Sequence, residues 1–426
     1  NAWTYNKSTD SYYLHYFSRK QPDLNWENPE VRQEIFDMMR FWFDKGIDGF
    51  RMDSISLIAK DPSFPLIDSK KYPDIFSFYA KEPRLHLYLH EMNRQVLSKY
   101  DCMSVGEGSA VMVDDVAKFV DPAREELNML YHFDAARIRN TTLPDNPESG
   151  IDYSLIALKK MFTEWDKAVD KGWPSIYLGN HDQPRMVSRF GSDKDEFRAL
   201  SAKMLITFLL TMRGTPYWFA GDEIGMRNIR FDRIEDYNDI DTINRYKKAK
   251  AEGKDPQAVL DEQKETGRDN ARTPFQWDRS PEAGFTAGTP WLKVNPDYTW
   301  INVADEEKDP TSILNYFKKV VSFRKENPSL IYGSYHLLDA ENPQSYTFLR
   351  KTGADTYLIM LNFSPKAAIS TPGIDMSNAH VLLDNYGDRS HMAPQKDITL
   401  RPFEAIVFQL NHPVYESFID SLDLLE

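Results

Sequence analysis

Three acidic residues of this chain each follow an apolar run, at a point where a strand is expected to end. They are Asp53 in FRMD, Glu107 in VGEG and Asp182 in GNHD. Carboxyl groups in such positions can act as nucleophiles or as proton donors and acceptors. Arg51 stands two residues before Asp53, and His181 directly precedes Asp182. The pattern has two interpretations: a structural ion pair at the end of a strand, or a reactive Asp53 held by Arg51.

The elements needed to position these side chains alternate between helix and strand. Helical patterns cover residues 29–45, 84–100, 113–120, 154–169 and 195–212. Strands are predicted at residues 47–53, 102–108, 126–134, 174–182 and 214–225. This alternation predicts an α/β protein with parallel strands and crossover helices. In a (β/α)₈ TIM barrel the C-terminal ends of the strands form the active site, so a barrel would bring the three acids to one rim.

The first helix carries the clearest boundary signals. Asn28 is a suitable N-cap, Pro29 fits the first helical position and Gly46 can end the helix. Apolar residues at helical spacing predict the face that the helix buries. The residues on that predicted face are Val31, Ile35, Met38 and Trp42.

The second half of the chain has a different composition. Residues 226–312 are irregular, polar and rich in Trp, Pro and Asn, which indicates a long active-site loop region with short helices. After a last helix at 311–328, short alternating runs predict an antiparallel β-sandwich domain. We therefore expect a catalytic barrel portion over 1–330 and a C-terminal antiparallel β domain over 331–426, which ends in a short amphipathic tail.

Composition argues against several classes of function. The net charge is −13 and the pI is about 5.3, whereas nucleic-acid binding needs clustered Lys and Arg. No apolar run reaches the roughly 18 residues that a membrane-spanning helix requires. Cys102 is the single cysteine, so no intrachain disulfide can form. Aromatic residues make up 13% of the chain, a content compatible with sugar-stacking surfaces and equally with an aromatic core.

Several motifs together resemble one enzyme family. QPDLN at 21–25, GFRMD at 49–53, GEG at 106–108, GNHDQPR at 179–185 and RDNARTPFQWD at 268–278 are similar to signature regions of the α-amylase superfamily of glycoside hydrolases, glycoside hydrolase family 13. QPDLN in particular resembles the branch of oligo-1,6-glucosidases, α-glucosidases and sucrose isomerases. The likeness extends over essentially the whole chain and includes the closing β domain. It implies an enzyme that acts on a small oligosaccharide or disaccharide.

The resemblance assigns roles to the three acids. Asp53 would be the nucleophile, Glu107 the general acid and base, and Asp182 the stabiliser of the transition state. A retaining glycosidase needs two carboxyl groups about 5–5.5 Å apart, one to attack C1 and one to protonate the leaving oxygen. Glu107 should therefore have a pKa raised by nearby negative charge and partial burial. Arg51 would keep Asp53 ionised.

Two further residues match sugar-binding positions of the family. His181 corresponds to its sugar-binding histidine, and Arg272 in ARTP corresponds to the arginine that contacts the same sugar from the long loop. For Arg272 the alternative is a purely structural ion pair that stabilises the loop. Asp134, at the end of the strand predicted at residues 126–134, is expected to have a structural role.

The chain also departs from the family pattern near its beginning. The signature with an Asp and a His on the third barrel strand is not found, and only five of eight barrel strands are predicted. YYLHYF, residues 12–17, resembles the second arm of a β-hairpin whose first arm is absent. We therefore expect a missing N-terminal fragment of the same barrel. The resemblance requires no cofactor, and it allows a structural calcium ion whose site would lie outside this chain.

Three functions are compatible with these residues. The leading one is a retaining, exo-acting α-glucosidase that hydrolyses isomaltose-type oligosaccharides, maltose or sucrose. The second is a sucrose isomerase or transglucosylase that uses the same glucosyl-enzyme. The third is a non-catalytic amylase-like binding subunit, which the three intact acids and the missing membrane segment disfavour. The resemblance fits a bacterial protein of the cytoplasm or the periplasm, with no membrane or nucleic-acid partner.

Two positions bear on specificity within this branch. In α-1,6-specific enzymes the residue after the nucleophile is valine, whereas small or hydroxyl residues resemble enzymes active on α-1,4 bonds or sucrose. This chain has Ser54 there. At residues 137–140 it reads RIRN, where sucrose isomerases carry a charged RLDRD loop, so both acids of that loop are missing. The first difference disfavours pure isomaltose specificity, and the second disfavours a dedicated isomerase.

Overall fold

Parallel strands and crossover helices dominate the first part of the computed structural model, which describes residues 2–68, 70–72, 74–353, 355–390 and 395–410. The chain divides into two compact units. Unit 1 comprises Asn1–Phe133 and Lys167–Pro174, and unit 2 comprises Asp134–Asp166 and Ser175–Glu426. The predicted domain boundary near residue 330 stays a prediction. No helix among the described residues is both long and apolar enough to cross a membrane.

The described residues of unit 1 form a hairpin, a parallel sheet and four α-helices. Its strands are β1 Trp3–Asn6, β2 Ser11–Leu14, β3 Gly49–Met52, β4 Met103–Glu107 and β5 Met129–Tyr131. Its helices are α1 Pro29–Asp44, α2 Ile75–Tyr79, α3 Arg84–Gln95 and α4 Ala117–Val120. Strands β3, β4 and β5 form a three-stranded sheet in that order, and both pairs are parallel. The first three predicted strands are therefore confirmed, with shorter bounds.

The hairpin prediction was wrong about its first arm. β2 pairs antiparallel with β1, with Trp3 opposite Leu14 and Asn6 opposite Ser11. The first arm was overlooked because it has only four residues, WTYN, and follows directly on the start of the sequence.

Helix α1 has the predicted caps but buries a different face. The Asn28 side chain accepts a hydrogen bond from the backbone N–H of Glu30, and Pro29 opens the helix. The buried residues are Phe36, Met39 and Phe43, whereas Met38 and Trp42 of the predicted face are each 46% exposed. Both sets have helical spacing, so periodicity alone cannot decide which set faces the core.

Unit 2 contains the remaining described elements. Its strands are β6 Ser175–Ile176, β7 Thr215–Pro216, β8 Ser334–Leu338, β9 Ser345–Thr352, β10 Asp355–Asn362, β11 Ala368–Ser370, β12 His380–Asp384, β13 Ile398–Leu400 and β14 Ala405–Leu410. Its helices are α5 Asp134–Thr141, α6 Leu155–Ala168 (whose last two residues fall in unit 1), α7 Met186–Phe190, α8 Arg198–Thr211, α9 Ile240–Ala251, α10 Pro256–Thr266, α11 Val303–Glu306, α12 Ile313–Glu326 and α13 Ser329–Tyr332. β6 and β7 are parallel, as the predicted alternation requires.

The long region after residue 226 contains longer helices than the sequence predicted. It carries α9, of 12 residues, and α10, of 11 residues, which pack against each other. Asp239 caps α9 and Asp255 caps α10, each with its side-chain oxygen on a backbone N–H of the first turn. Helix α9 contains three lysines and an arginine, and α10 contains two glutamines and two glutamates. This polarity made the segment look irregular in the sequence.

The C-terminal β domain is antiparallel, as predicted. A five-stranded sheet has the order β12-β14-β10-β9-β8, and β11 pairs with β13. One cluster of buried apolar residues includes Leu358 and Phe408 of the larger sheet and Ile398 and Leu400 of β13. The predicted amphipathic tail, residues 413–426, lies outside the described residues.

Two buried arginines donate to backbone carbonyls near the end of α8 and before the start of β8 within unit 2. Arg350 of β9 donates to the carbonyl oxygens of Leu330 and Gly333, at 2.8 and 2.6 Å, and to those of Thr211 and Ser334. Arg324 of α12 donates to the carbonyls of Leu210, Met212, Gly214 and Leu330. Because buried carbonyls need donors, these guanidinium groups hold the end of α8 and the start of β8 together.

Replacing Arg350 by Met should therefore destabilise unit 2 strongly. The variant keeps an apolar stem but leaves several buried carbonyls without donors, which should cost about 3 kcal/mol or more of unfolding free energy. Chemical denaturation measures this loss. The neighbouring Lys351→Met variant is the control and should change stability by no more than about 0.5 kcal/mol. Equal stabilities of the two variants would contradict this account of Arg350.

Candidate active site

In unit 1 the site is built around the guanidinium of Arg51. Arg51 Nη1 donates to Asp53 Oδ1, and Nη2 donates to Glu107 Oε2 at 3.0 Å and to the hydroxyl of Tyr131. The predicted contact between Arg51 and Asp53 is present, and Glu107 and Tyr131 share the same cation. The parallel register explains this, since Met52 lies beside Gly106 and Glu107 lies beside Tyr131.

Glycines allow the strands that carry these side chains to approach closely. A Cβ atom on Gly49 would lie 2.0 Å from the carbonyl oxygen of Met103, so only glycine fits at this point of the β3–β4 pair. A Cβ on Gly106 would come within 2.8 Å of the side chains of Leu127 and Ile55. The glycines of DGF and VGEG are thus needed for the packing that places Arg51 beside Glu107.

Asp53 and Glu107 have opposite environments. The side chain of Asp53 is 72% exposed, whereas that of Glu107 is 7% exposed. The two carboxyl groups are in hydrogen-bonding contact, and the backbone N–H of Ser54 donates to Glu107 Oε2 at 2.8 Å. Burial raises the pKa of Glu107, and the charge of Asp53 raises it further, while Ser54 and Arg51 oppose the shift. The predicted direction for Glu107 is confirmed, with burial as the main cause.

The other members of this cluster keep their protons. Burial opposes the charge of Arg51, but its contacts with Asp53, Glu107 and Tyr131 outweigh burial and raise its pKa. Burial and the nearby Glu107 raise the pKa of the Tyr131 hydroxyl above its ordinary value. Arg51 is therefore a permanent cation and Tyr131 a neutral phenol around the two carboxyl groups.

Unit 2 brings His181, Asp182 and Arg272 together. Arg272 Nη2 donates to Asp182 Oδ1 at 2.6 Å, and Arg272 Nε donates to the carbonyl oxygen of His181 at 2.8 Å. His181 Nε2 lies 3.6 Å from Asp182 Oδ2. Asp182 follows β6 by six residues rather than ending it, because regular pairing stops at Ile176. The expectation that all three acids share one rim stays a prediction.

Two hydrogen bonds, one buried and one exposed, hold the backbone of the loop that carries Arg272. Arg185, which is only 2% exposed, donates through Nη2 to the carbonyl of Ala271 at 3.1 Å and faces Asp222 at 3.7 Å. The indole N–H of Trp291 donates to the carbonyl of Arg272 at 2.8 Å. These contacts leave little freedom to the backbone that presents Arg272.

A polar cavity of about 520 Å³ lies beside Asp182 in unit 2. Its walls include Asp239 and Arg268 together with residues of α9 and α10, among them Asp241, Arg245 and Glu262. Arg268 Nε lies 3.8 Å from Asp182 Oδ1. A polar cavity of this size, with several convergent hydrogen-bonding groups, is suited to a small hydroxylated ligand.

Several of these residues were missed by sequence reasoning. Tyr131 is the last residue of β5, just as Asp53 directly follows β3. Its position at the end of a strand could therefore have marked Tyr131 as a candidate site residue. Asp239 and Arg268 lie in the stretch that looked irregular and gave no such signal. Asp134 does not end a strand but opens α5, where its oxygens accept from Trp165 Nε1 at 2.8 Å and Arg137 at 3.0 Å. These contacts support the structural role expected for Asp134.

Metal ligands are not grouped in the part of the chain that the structure describes. Within it, no cluster of three or more His, Cys, Asp or Glu side chains could hold a metal ion. The calcium expectation, which placed the site outside this chain, stays a prediction.

Comparison with known proteins identifies the family. The model of the alpha amylase catalytic domain matches residues 1–333. The oligo-1,6-glucosidase of Parageobacillus thermoglucosidasius is 48% identical over 423 residues, which are 97% of this chain and 74% of that protein. The oligo-1,6-glucosidase of Bacillus cereus is 44% identical over 420 residues, with 96% and 74% covered. The chain belongs to the alpha-amylase family.

A solved structure agrees with this assignment. A variant of the trehalulose synthase MutB superposes with a TM-score of 0.90 at 38% identity, covering 96% of this chain and 74% of that one. The family and this structural neighbour imply a TIM barrel followed by a C-terminal β domain. The identities to oligo-1,6-glucosidases over most of the chain make this alpha-amylase family member a glycoside hydrolase. The expectation of further barrel units before residue 1 stays a prediction.

Replacing Glu107 by Gln should stabilise the fold at neutral pH. In the unfolded chain Glu107 ionises near its ordinary value of 4.5, whereas the folded carboxyl stays protonated to higher pH because its pKa is raised. The wild-type protein therefore loses stability relative to the E107Q variant as the pH rises from the unfolded pKa through the folded pKa. Thermal unfolding of both proteins between about pH 4 and about pH 8 measures this difference.

The difference between the two melting temperatures should grow with rising pH and then level off. The exposed Glu125→Gln variant is the matched control and should show no such growth, because its side chain lies in solvent. A difference that shrinks as the pH rises would contradict a raised pKa at Glu107.

Proposed function

We propose that this glycoside hydrolase is a retaining, exo-acting α-glucosidase that hydrolyses short α-glucosides of the isomaltose type, with maltose and sucrose as further substrates. The observation that carries the proposal is the contrast between Asp53 and Glu107. Both contact Arg51, yet Asp53 is exposed and Glu107 is buried with a raised pKa. An exposed carboxyl group that can attack and a buried one whose raised pKa favours the proton-donating form are the pair of groups that a double displacement uses.

The first chemical step uses both groups. Glu107 donates its proton to the glycosidic oxygen while an oxygen of Asp53 attacks C1, so the C1–O bond breaks and the aglycone leaves as an alcohol. A β-glucosyl ester of Asp53 remains. Arg51 favours the carboxylate form of Asp53 before attack, because a cation in contact stabilises the negative charge.

The second step reverses the roles. The Glu107 carboxylate takes a proton from water, the oxygen of that water attacks C1, and the ester bond to Asp53 breaks. The product is α-glucose, and Glu107 is protonated again. In this proposal Asp182, held by Arg272, accepts hydrogen bonds from sugar hydroxyls that tighten as the ring flattens, and His181 donates to the same sugar.

Bond preference follows from Ser54 in this proposal. Its backbone has φ 45° and ψ 32°, a left-handed conformation that turns its N–H toward Glu107. A β-branched residue adopts this conformation with more strain than serine does. Because Ser54 stands where α-1,6-specific enzymes carry valine, we place this chain among enzymes that accept more than one α-glucosidic bond.

The second candidate is a sucrose isomerase or transglucosylase. The likeness to a trehalulose synthase favours it, since such an enzyme passes the glucosyl group to a sugar instead of water. The arginines of the RIRN segment argue against it, because both are engaged locally. Arg137 pairs with Asp134 at 3.0 Å, and Arg139 pairs with Asp152 at 2.5 Å.

Product analysis separates these candidates. The protein is incubated with isomaltose, maltose and sucrose separately, and the sugars are resolved by chromatography. We expect free glucose, released as the α-anomer when it is followed by NMR at early times. A new disaccharide from sucrose would support the isomerase, and β-glucose as first product would contradict the retaining mechanism.

The Asp53→Asn variant tests the assigned nucleophile. Turnover should fall by at least about 10³-fold, because the amide cannot form the ester intermediate. Asp48 is exposed and directly precedes β3. The Asp48→Asn variant is therefore the control, and it should keep activity within about twofold. Activity of D53N comparable to that of D48N would remove Asp53 from the mechanism.

A further inference from the structure

We propose that Asp239 is a positioning residue whose carboxylate completes a ring of four alternating charges that includes Asp182. The ring consists of Asp182, Arg272, Asp239 and Arg268, all in unit 2. The inference rests on the proposed role of Asp182 and extends it, because it identifies what keeps the two arginines in place beside that carboxylate.

Each guanidinium of the ring lies between the two carboxylates. Arg272 Nη2 is 2.6 Å from Asp182 Oδ1, and Arg272 Nη1 is 3.6 Å from Asp239 Oδ1. Arg268 Nε is 3.8 Å from Asp182 Oδ1, and Arg268 Nη1 is 4.0 Å from Asp239 Oδ1. One of the four contacts is a hydrogen bond, and the other three are ion pairs at longer range. The ring is neutral overall, with two charges of each sign.

Asp239 is the immobile member of the ring. Its side chain is 3% exposed, and Oδ2 accepts from the backbone N–H of Thr242 at 2.9 Å and from the Thr242 hydroxyl at 3.0 Å. The backbone N–H of Asp239 donates to Asp269 at 2.8 Å. Because Oδ2 is committed to the start of α9, Oδ1 is the oxygen that faces both arginines.

Removing the charge of Asp239 would unbalance the ring. Two guanidinium groups would then compete for the single carboxylate of Asp182, and Arg268 could close its 3.8 Å separation to a hydrogen bond. The oxygens of Asp182 would be occupied by arginine donors instead of sugar hydroxyls. The backbone of Arg272 would stay in place, since Trp291 and Arg185 hold that loop independently of Asp239.

The Asp239→Asn substitution isolates this charge. Asn has the same shape and is an equally good N-cap, so the start of α9 should remain intact. The expected result is a roughly 10–100-fold loss in kcat with little change in KM, because misplacement of a group that acts in the transition state lowers kcat. The melting temperature should stay within a few degrees of the wild-type value.

The Asp255→Asn variant is the matched control. Asp255 caps α10 with nearly the same backbone angles, φ −68° and ψ 111° against −66° and 122° for Asp239. Within the described part of the chain it forms no ion pair with an arginine. It should retain wild-type kinetics. Equal kcat values for D239N and D255N would overturn the proposal, as would a loss in D239N that merely follows its unfolded fraction.

A second substitution tests the balance of charge itself. Arg268→Gln in the D239N background restores a neutral site of one arginine and one carboxylate. The double variant should recover roughly tenfold over D239N, whereas effects that simply multiply would overturn the ring. A purely structural role of Asp239 would not produce such recovery.

The ring can be tested even if the protein does not have the proposed activity. A wild-type protein without hydrolytic activity would refute the α-glucosidase proposal alone. Crystal structures of the wild-type and D239N proteins would then judge the ring directly. The proposal expects Arg268 Nε to move to hydrogen-bonding distance from Asp182 Oδ1 in D239N, and an unchanged separation would overturn it.

Discussion

The guanidinium of Arg51 is the group on which the arrangement of unit 1 depends. It binds side chains that follow or end three neighbouring strands, Asp53, Glu107 and Tyr131, so the parallel register of β3, β4 and β5 is a condition for the site. That register in turn needs Gly49, where any side chain would collide with the backbone of Met103. One cation thus contacts two carboxyl groups of very different burial, and burial raises the pKa of Glu107.

In unit 2, several charged side chains rather than a single cation surround the carboxylate of Asp182. Asp182 is held by one arginine at hydrogen-bonding distance and approached by a second, and the buried Asp239 faces both of them. A buried carboxylate such as that of Asp239 is costly to remove from water, and it is stabilised by ion pairs and hydrogen bonds. The cap of α9 uses Oδ2 of Asp239, whereas the positioning role that we propose for this residue uses Oδ1.

The order of elements and the main acids could be predicted from the sequence, since helix caps, strand ends and motifs are local signals. Helix α1 shows where such reasoning stops. Its two apolar stripes have the same spacing, and only packing decided that Phe36, Met39 and Phe43 are buried. Tyr131 and Asp239 were not found because their contacts depend on strand register and on the approach of loops distant in sequence. The polar helices α9 and α10 were underestimated because their stability comes from caps and mutual packing rather than from an apolar stripe.

The most direct test of the account is to trap the covalent intermediate. A fluorinated α-glucosyl donor with a good leaving group slows hydrolysis of the glucosyl-enzyme, because fluorine destabilises the oxocarbenium-like transition state while the leaving group keeps the first step fast. Mass spectrometry of the intact protein and of its peptides then locates the adduct. The account predicts one fluoroglucosyl group per chain, on the peptide that contains Asp53. Turnover of the reagent without an adduct, or an adduct on another residue, would contradict it.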